Sequence, residues 1–251
     1  MRITEQWAVI TGASSGLGVE FARQLAAAGY SLVLVARDEE RLGEVAAELS
    51  QLHGVWCEVL VADLHLAEGR AAVIERLTDT HKPVSVLINN AGYGIPGDLA
   101  ESDLREELDH LTIHVSAPLE LTKAVLPEMV KRGYGRIVMV SSVAGYLARG
   151  TYSAHKAWGL SLARSLSASY RHRGVAVTAV APGFTRTEFH QRMNMNVSGV
   201  PGFLWLGADR VVRSALKAAH AGKAVAIPSF RYKALVAVAG LVPTRWHQAN
   251  L

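Results

Sequence analysis

The feature that most restricts how this chain can fold is a glycine-rich turn set between two different apolar rhythms. Residues 7 to 10, Trp-Ala-Val-Ile, form a short continuous apolar run, and Thr11-Gly12-Ala13-Ser14-Ser15-Gly16-Leu17-Gly18 follows it directly. Phe21, Leu25 and Ala28 then recur at helical spacing. Strand, turn and helix succeed one another. A turn in that position can aim backbone N–H groups and a helix N-terminus at a phosphate, with glycine clearing side chains from the approach. Residues 31 to 36, Ser-Leu-Val-Leu-Val-Ala, are a second continuous apolar run of the kind found in buried parallel strands, and they complete a βαβ unit.

The rest of the chain repeats the alternation. Leu42, Val45, Ala46, Leu49 and Leu52 mark a helix, and Val55 to Ala62 a third strand ending in Asp63-Leu64. A helix is predicted over about residues 67 to 80. Val84 to Ile88 is a fourth strand that runs into Asn89-Asn90-Ala91-Gly92, and two helices occupy residues 101 to 132. Gly135 to Ser141 is a fifth strand, delivering Ser142 to its end; a long helix runs from 152 to 172. Val175 to Val180 is a sixth, ending in Ala181-Pro182-Gly183-Phe184-Thr185-Arg186-Thr187. Strands alternating with helices predict an α/β fold, a doubly wound parallel sheet of about seven strands with helices on both faces and ligands at the strands' carboxyl ends. With 251 residues, half of them hydrophobic and 19% charged, one domain with one large core is expected.

Three side chains could together protonate a carbonyl oxygen: Ser142, Tyr152 and Lys156. On a helix Tyr152 and Lys156 are i and i+4, one turn apart on one face. An ammonium beside a phenol favours the phenolate, so Tyr152 is expected to titrate below its usual range. Ser142 could orient the same oxygen. At the end of the second strand, where a dinucleotide's adenosine ribose is read, stand Ala36 and Arg37 and not an acid. An arginine there suits a 2′-phosphate, which favours NADP(H) over NAD(H). In the competing reading Asp38 caps the next helix and Arg37 is solvated.

Other features carry less. His110 and His114 form an i, i+4 pair, but Leu111 stands where a metalloprotease helix needs glutamate and no third ligand is evident, so no metal site is expected. Cys57, the one cysteine, allows no disulfide framework and reads as a small buried hydrophobe. With no apolar N-terminal leader, a cytoplasmic location is expected. From residue 201 onward Arg210, Arg213, Lys217, Lys223, Arg231, Lys233 and Arg245 oppose only Asp209. No aromatic platform accompanies them, so nucleic acid is not expected as a partner. The apolar stretch 234 to 243 is too short to span a bilayer, which leaves peripheral membrane contact or docking on the core or a subunit partner. Between residues 188 and 207, Met193, Met195, Val197, Val200, Pro201, Phe203, Leu204, Trp205 and Leu206 suggest either packing under the sheet or a flap over a lipophilic substrate.

These motifs together resemble the short-chain dehydrogenase/reductase family, in its branch of single-domain Rossmann-type enzymes. The resemblance rests on five signatures in order: Thr11-Gly-x-x-x-Gly-x-Gly18, Asp63, Asn89-Asn-Ala-Gly92, Ser142 with Tyr152-x-x-x-Lys156, and Pro182-Gly183 with Thr187. It implies that Tyr152 is the acid/base, that Lys156 binds the nicotinamide ribose and lowers the tyrosine pKa, and that Ser142 holds the substrate oxygen. It further implies that Gly12, Ser14, Ser15, Gly16, Leu17 and Gly18 lie along the pyrophosphate and adenosine ribose. Asp63 and Leu64 would then sit beside the adenine, and Asn90, Ala91 and Gly92 against the adenosine. Pro182, Gly183, Thr185 and Thr187 would meet the nicotinamide end, and homodimers or homotetramers would be expected.

Three departures from the family pattern stand out. His114 occupies the usual position of an asparagine whose backbone carbonyl helps hold a relay water, and could join the relay itself. The interval from Ser142 to Tyr152 is shorter than in many members, and His155 replaces a frequent serine or alanine as a change on the helix surface. The function so implied is an NADP(H)-dependent oxidoreductase moving a hydride between nicotinamide and a carbonyl or secondary alcohol of a lipophilic substrate. The alternative is a catalytically impaired dinucleotide-binding regulatory protein.

Overall fold

A computed structural model of the chain describes residues 6–95, 99–188 and 199–239. Its seven strands are β1 (Trp7–Thr11), β2 (Ser31–Ala36), β3 (Cys57–Val61), β4 (Val84–Asn89), β5 (Gly135–Val140), β6 (Val175–Val180) and β7 (Val225–Ala226). All pair in parallel, in the order β3-β2-β1-β4-β5-β6-β7. The chain winds outward from β1 in both directions, so the crevice between the carboxyl ends of β1 and β4 is the switch point where ligands bind in such sheets. β7 has only two residues, too few for any periodicity to announce it.

Helices α1 (Gly16–Ala27), α2 (Glu39–His53), α3 (Ala67–Thr78), α4 (Leu104–Leu111), α5 (Ala117–Arg132), α6 (Gly150–Tyr170), α7 (Ala208–His220) and α8 (Phe230–Ala239) accompany the sheet. Alternate strand residues face opposite ways. Val9, Leu87, Ile137 and Val177 meet Leu121, Met129 and Leu160 of α5 and α6, whereas Ile10, Leu34, Ile88 and Val138 meet Phe21, Leu25 and Val211 of α1 and α7. Burial of both faces explains why β1, β4 and β6 read as mainly apolar runs, with Ser85 and Thr178 as small buried exceptions. Each fully buried large side chain contributes roughly 1.5–3 kcal/mol. β3 lies at the sheet's edge, with Val59 39% and Val61 46% exposed. It is therefore shorter than the apolar run suggests, and Cys57 is half-buried, not fully buried.

Two departures bear on the site. Residues 104–132 follow one helical path, in which α4 passes through a π-helical turn, Thr112–Ser116, into α5. Such wide turns concentrate at functional sites, and this one carries His114. Pro118 has no N–H to offer the His114 carbonyl four residues back, which favours the irregularity. In addition α6 begins at Gly150, two residues before the expected start, so Tyr152 lies in its first turn. Among the described residues no helix is long and apolar enough to cross a membrane. α8 buries Tyr232 while Phe230, Leu235 and Val238 stay exposed.

Candidate active site

The glycine turn is held by hydrogen bonds between strand ends. Thr11 Oγ1 donates to the Ile88 carbonyl at 3.2 Å and accepts from the N–H groups of Asn90 and Ala91, each at 3.0 Å. Asn90 Nδ2 donates to the Thr11 carbonyl at 2.8 Å and to that of Gly12 at 3.3 Å, so this nitrogen braces the turn and is not turned to a ligand. Gly12 and Gly16 have φ of 67° and 55°, a conformation that disfavours any side chain. Gly18 differs from the sequence expectation. It is buried, and a Cβ there would lie 1.9 Å from the Gly12 carbonyl oxygen, so it serves close helix–turn packing and presents nothing to a ligand. Ser14, Ser15 and Gly16 open instead onto a pocket of about 290 Å³ whose far wall is Arg41, Glu44 and Glu188.

At the end of β2, Asp38 caps α2 by accepting from the Arg41 N–H at 3.1 Å. The Arg37 side chain is 71% exposed and its Nη1 lies 3.9 Å from Asp63 Oδ2. Asp63 Oδ1 accepts from the His65 N–H at 3.0 Å and lies 2.8 Å from His65 Nδ1. Burial raises the Asp63 pKa, but the His65 hydrogen bonds and Arg37 outweigh it and hold the carboxyl below its ordinary range. Leu64 also departs from expectation: its side chain is buried in the core, leaving its backbone alone for a ligand. Arg41 reaches across to Glu188 with both guanidinium nitrogens, at 3.3 and 3.1 Å. Neither residue was singled out from the sequence, although a second arginine one turn beyond Arg37 was a readable signal.

The loop after β6 is organised by α8. A Cβ on Gly183 would come within 1.9 Å of the Tyr232 ring, whose hydroxyl accepts from the Phe184 N–H at 3.0 Å and donates to the Leu204 carbonyl at 2.8 Å. Tyr232 is what requires glycine at 183. The Thr185 hydroxyl is buried and donates to the Gly183 carbonyl at 3.0 Å, so it too is engaged within the loop. Thr187 faces the glycine turn, 3.3 Å from where a Cβ on Gly16 would stand. The Leu206 N–H donates to the Phe184 carbonyl at 2.8 Å and the Arg186 N–H to the Leu206 carbonyl at 2.9 Å, clipping the returning chain to the loop. Trp205 lies against Phe184, ring centres 5.7 Å apart. Met193, Met195 and Val197 fall outside the described residues.

Ser142, Tyr152 and Lys156 converge beyond the end of β5. Ser142 Oγ accepts from the Ala144 N–H at 3.1 Å and lies 3.5 Å from the Pro182 carbonyl. Lys156 is 7% exposed; its Nζ donates to the Val140 carbonyl at 2.9 Å and stands 5.5 Å from the centre of the Tyr152 ring. The electrostatics reverse the sequence expectation. Burial pushes the Tyr152 phenol up to about 12, against the pull of a hydrogen bond with Ser142, and drags Lys156 down to about 7. Desolvation penalises the charged form of both groups, and an ammonium half neutralised near pH 7 has little charge with which to draw the phenol down.

The histidines differ most from expectation. His155 is half-buried and not on the helix surface, its ring centre 4.9 Å from that of His110 and 6.2 Å from that of His114. His110 and His114 are buried edge to face at 4.5 Å, and their Nε2 atoms lie 3.1 and 2.6 Å from the same Tyr93 carbonyl. One carbonyl has lone pairs for both. Tyr152 lies against the pair, 6.0 Å from His110 and 5.7 Å from His114 between ring centres. A Cβ on Gly92 would sit 2.3 Å from His114 Cε1, so the imidazole accounts for that glycine. Burial lowers the pKa of His110 to about 4, that of His114 well below its usual value, and that of His155 less far. His155 thus supplies the third imidazole that was not evident in the sequence, although among the described residues no cluster could hold a metal ion.

Residues 6–198 match the short chain dehydrogenase family. The chain is 35% identical over 190 residues to the oxidoreductase UcpA of Salmonella typhimurium, covering 74% of this chain and 72% of that one. A short-chain dehydrogenase from Sphingobium yanoikuyae, solved in complex with NADPH, is similar with a TM-score of 0.85 at 35% identity over 98% of each chain. A bulky-bulky ketone specific alcohol dehydrogenase from Comamonas testosteroni gives a TM-score of 0.81 at 30% identity, covering 99% of this chain and 97% of that one.

Proposed function

The chain belongs to the short-chain dehydrogenase family, an oxidoreductase acting on alcohol and carbonyl groups, and we propose that it transfers a hydride between NADP(H) and a lipophilic ketone or secondary alcohol. The observation that carries this reading is the convergence of three side chains beyond the end of β5, Tyr152 hydrogen-bonded to Ser142 and Lys156 Nζ 5.5 Å from the centre of the Tyr152 ring. The cofactor's fit rests on the turn, where side chains are absent at Gly12 and Gly16 and a pocket opens beside Ser14 and Ser15. Those residues with Leu17 would hold the pyrophosphate and ribose, and Arg37 with Arg41 the 2′-phosphate. Asp63, the Leu64 backbone, Asn90, Ala91 and Gly92 would line the adenosine, and Pro182, Gly183, Thr185 and Thr187 the nicotinamide end. When bound, the nicotinamide supplies or accepts the hydride.

The protein's own part is proton transfer. Held protonated through the neutral range, Tyr152 donates its O–H proton to the substrate oxygen in reduction, while the Ser142 hydroxyl orients that oxygen. The charged fraction of Lys156 stabilises the phenolate that remains. Phe184 and Trp205 offer an apolar wall, and the Comamonas relative's preference for bulky ketones supports a lipophilic substrate. The same reading takes the protein as a cytoplasmic homo-oligomer, for which the exposed Leu104, Leu108, Leu111 and Leu119 on α4 and α5 provide a face. Tyr152→Phe should abolish NADPH oxidation with a panel of bulky ketones while the protein still binds NADPH by fluorescence. Undiminished turnover would remove Tyr152 from the chemistry, and tight NADPH binding with no turnover by the unaltered protein would favour a regulator.

A further inference from the structure

Helix α8 is apolar on more sides than the fold covers. Tyr232, Val236 and Ala239 fall at i, i+4 and i+7, and this stripe is the one turned to the protein: Tyr232 is buried and the other two are half-buried, while every other residue of the helix is exposed. On the outer sides Ala234, Leu235, Ala237 and Val238 bring no polar side chain, and Phe230 is 83% exposed. Arg231 joins Phe203 to this surface. Its Nη1 donates to the Phe203 carbonyl at 2.6 Å and its guanidinium stands 5.6 Å from the centre of the Phe203 ring, a residue that is 59% exposed. A helix apolar all round belongs inside protein or lipid, and exposed patches of this kind mark interaction surfaces. The charge beside it has one sign. α8 carries Arg231 and Lys233 and no acid, and between residues 201 and 239 six lysines and arginines stand against one acid, Asp209, which is paired with Arg213 at 3.3 Å.

We propose that α8 and Phe203 dock the protein on an anionic phospholipid bilayer, with Phe203, Phe230, Leu235 and Val238 entering the headgroup boundary and Arg231 and Lys233 meeting lipid phosphates. Apolar burial and attraction to anionic headgroups act together on such surfaces. A second copy of the chain fits the patch less well. A two-fold contact would set Arg231 and Lys233 against their own counterparts, with no carboxylate on the helix to separate the like charges. The position of α8 gives the docking a use, which rests on the reading of the Tyr152 site as one for lipophilic ketones and alcohols. Tyr232 joins the helix to the Phe184 N–H and the Leu204 carbonyl, and the helix also lies against the short turn Val143–Tyr146 that follows Ser142. The bilayer then lies beside the loop that carries Phe184, and a substrate dissolved in lipid enters the site from the membrane side.

Sedimentation with vesicles tests the docking without turnover. The protein should pellet with vesicles of equal parts phosphatidylcholine and phosphatidylglycerol, stay in solution with phosphatidylcholine alone, and bind the anionic vesicles more weakly as salt is raised. Arg231→Gln with Lys233→Gln should weaken that binding about thirtyfold, through the loss of two cations at the lipid surface. Phe230→Ser with Leu235→Ser, both at exposed positions, should weaken it about tenfold or more. Both double variants should turn over a water-soluble ketone as the unaltered protein does. With a long-chain ketone held in anionic vesicles, they should show KM raised about tenfold with kcat unchanged. Equal binding to neutral and anionic vesicles, or full binding by either double variant, would overturn the docking. A protein that ignores both vesicles yet reduces ketones would overturn it and leave the proposed function standing, and an oligomer dissociated by Phe230→Ser with Leu235→Ser would then assign the face to a second copy. Pelleting as expected by a protein that turns over no ketone would instead overturn the proposed function and leave the docking.

Discussion

The two ends of the site are made of different material. Between β1 and α1 the structure is backbone: Gly12 and Gly16 turn through left-handed conformations, Gly18 packs on the Gly12 carbonyl, and Thr11 and Asn90 tie the strands. Between α4 and α6 it is side chain: one phenol, one lysine and three imidazoles buried against one another. The first arrangement contains no group that titrates, yet it has no room for one extra carbon. The second rests on buried groups whose charge states burial controls, so pH is its weak point. Steric and acid perturbations should therefore separate the two ends.

The largest expected effect is steric. Gly18→Ala would place a Cβ 1.9 Å from a backbone oxygen that cannot rotate away, so a loss of about 3 kcal/mol or more in unfolding free energy is expected, with loss of NADPH binding. Gly43→Ala is the counterpart. A Cβ there meets nothing within 4 Å on the exposed side of α2, and helix propensity should stabilise the protein by up to about 1 kcal/mol. Equal responses to the two changes in urea unfolding would show that the turn relaxes more easily than its packing implies.

Acid comes next and acts on the other end. The folded pKa values of His110, His114 and His155 lie below the ordinary 6.5, so between those values the unfolded chain binds more protons. The imidazoles' contribution to stability is then fully present above about pH 6.5 and is lost as pH falls toward about 4, with His110 alone contributing roughly 3 kcal/mol. Lys156, lowered from 10.5 to about 7, makes stability go on rising between those two values by the same linkage. Urea unfolding at pH 7 and pH 5 measures the acid limb. Stability independent of pH in that interval would mean that the imidazoles charge freely in the folded protein.

What the sequence reveals follows the same division. The strands were legible because burial on both faces makes them continuous apolar runs, and the glycine turn because its geometry is local. The Tyr152–Lys156 spacing brings the two side chains together on α6 but does not give their ionisation, which depends on desolvation by elements remote in the chain. His155 read as surface because its neighbours His110 and Glu107 lie more than forty residues away. That Tyr232 packs on Gly183 was not legible, because Tyr232 lies 49 positions further on. Pro118 was a usable local signal: a proline four residues after His114 removes a helical donor and favours the wide turn.

Gly92→Ala tests where the two ends join. Its Cβ would stand 2.3 Å from His114 Cε1, and the imidazole is held by the Tyr93 carbonyl, so a loss of about 1–3 kcal/mol is expected. His114→Ala in the same chain should recover part of that loss, a coupling of about 1 kcal/mol in a double-mutant cycle of unfolding free energies. Additive losses would mean that the Gly92 backbone, and not the imidazole, is the obstacle.

The smallest effect on folding, and the most selective on binding, is expected at Arg41. Its ion pair with Glu188 is at the surface, and such pairs contribute little to stability, so Arg41→Ala should leave the unfolding midpoint unchanged. Yet Arg41 walls the pocket beside Ser14, Ser15 and Gly16, one helical turn from Arg37, which is where a 2′-phosphate would lie in the proposed complex. A guanidinium that already grips the Glu188 carboxylate with two nitrogens has the fork geometry that suits phosphate. Arg41→Ala should therefore weaken NADPH about tenfold and leave NADH unchanged. Glu188→Gln, which frees the arginine of its carboxylate, should move NADPH affinity the opposite way. Equal weakening of both cofactors in titrations of Arg41→Ala would place the 2′-phosphate elsewhere and make Arg41 a brace for the loop after β6, returning Arg37 to the part of the sole phosphate reader.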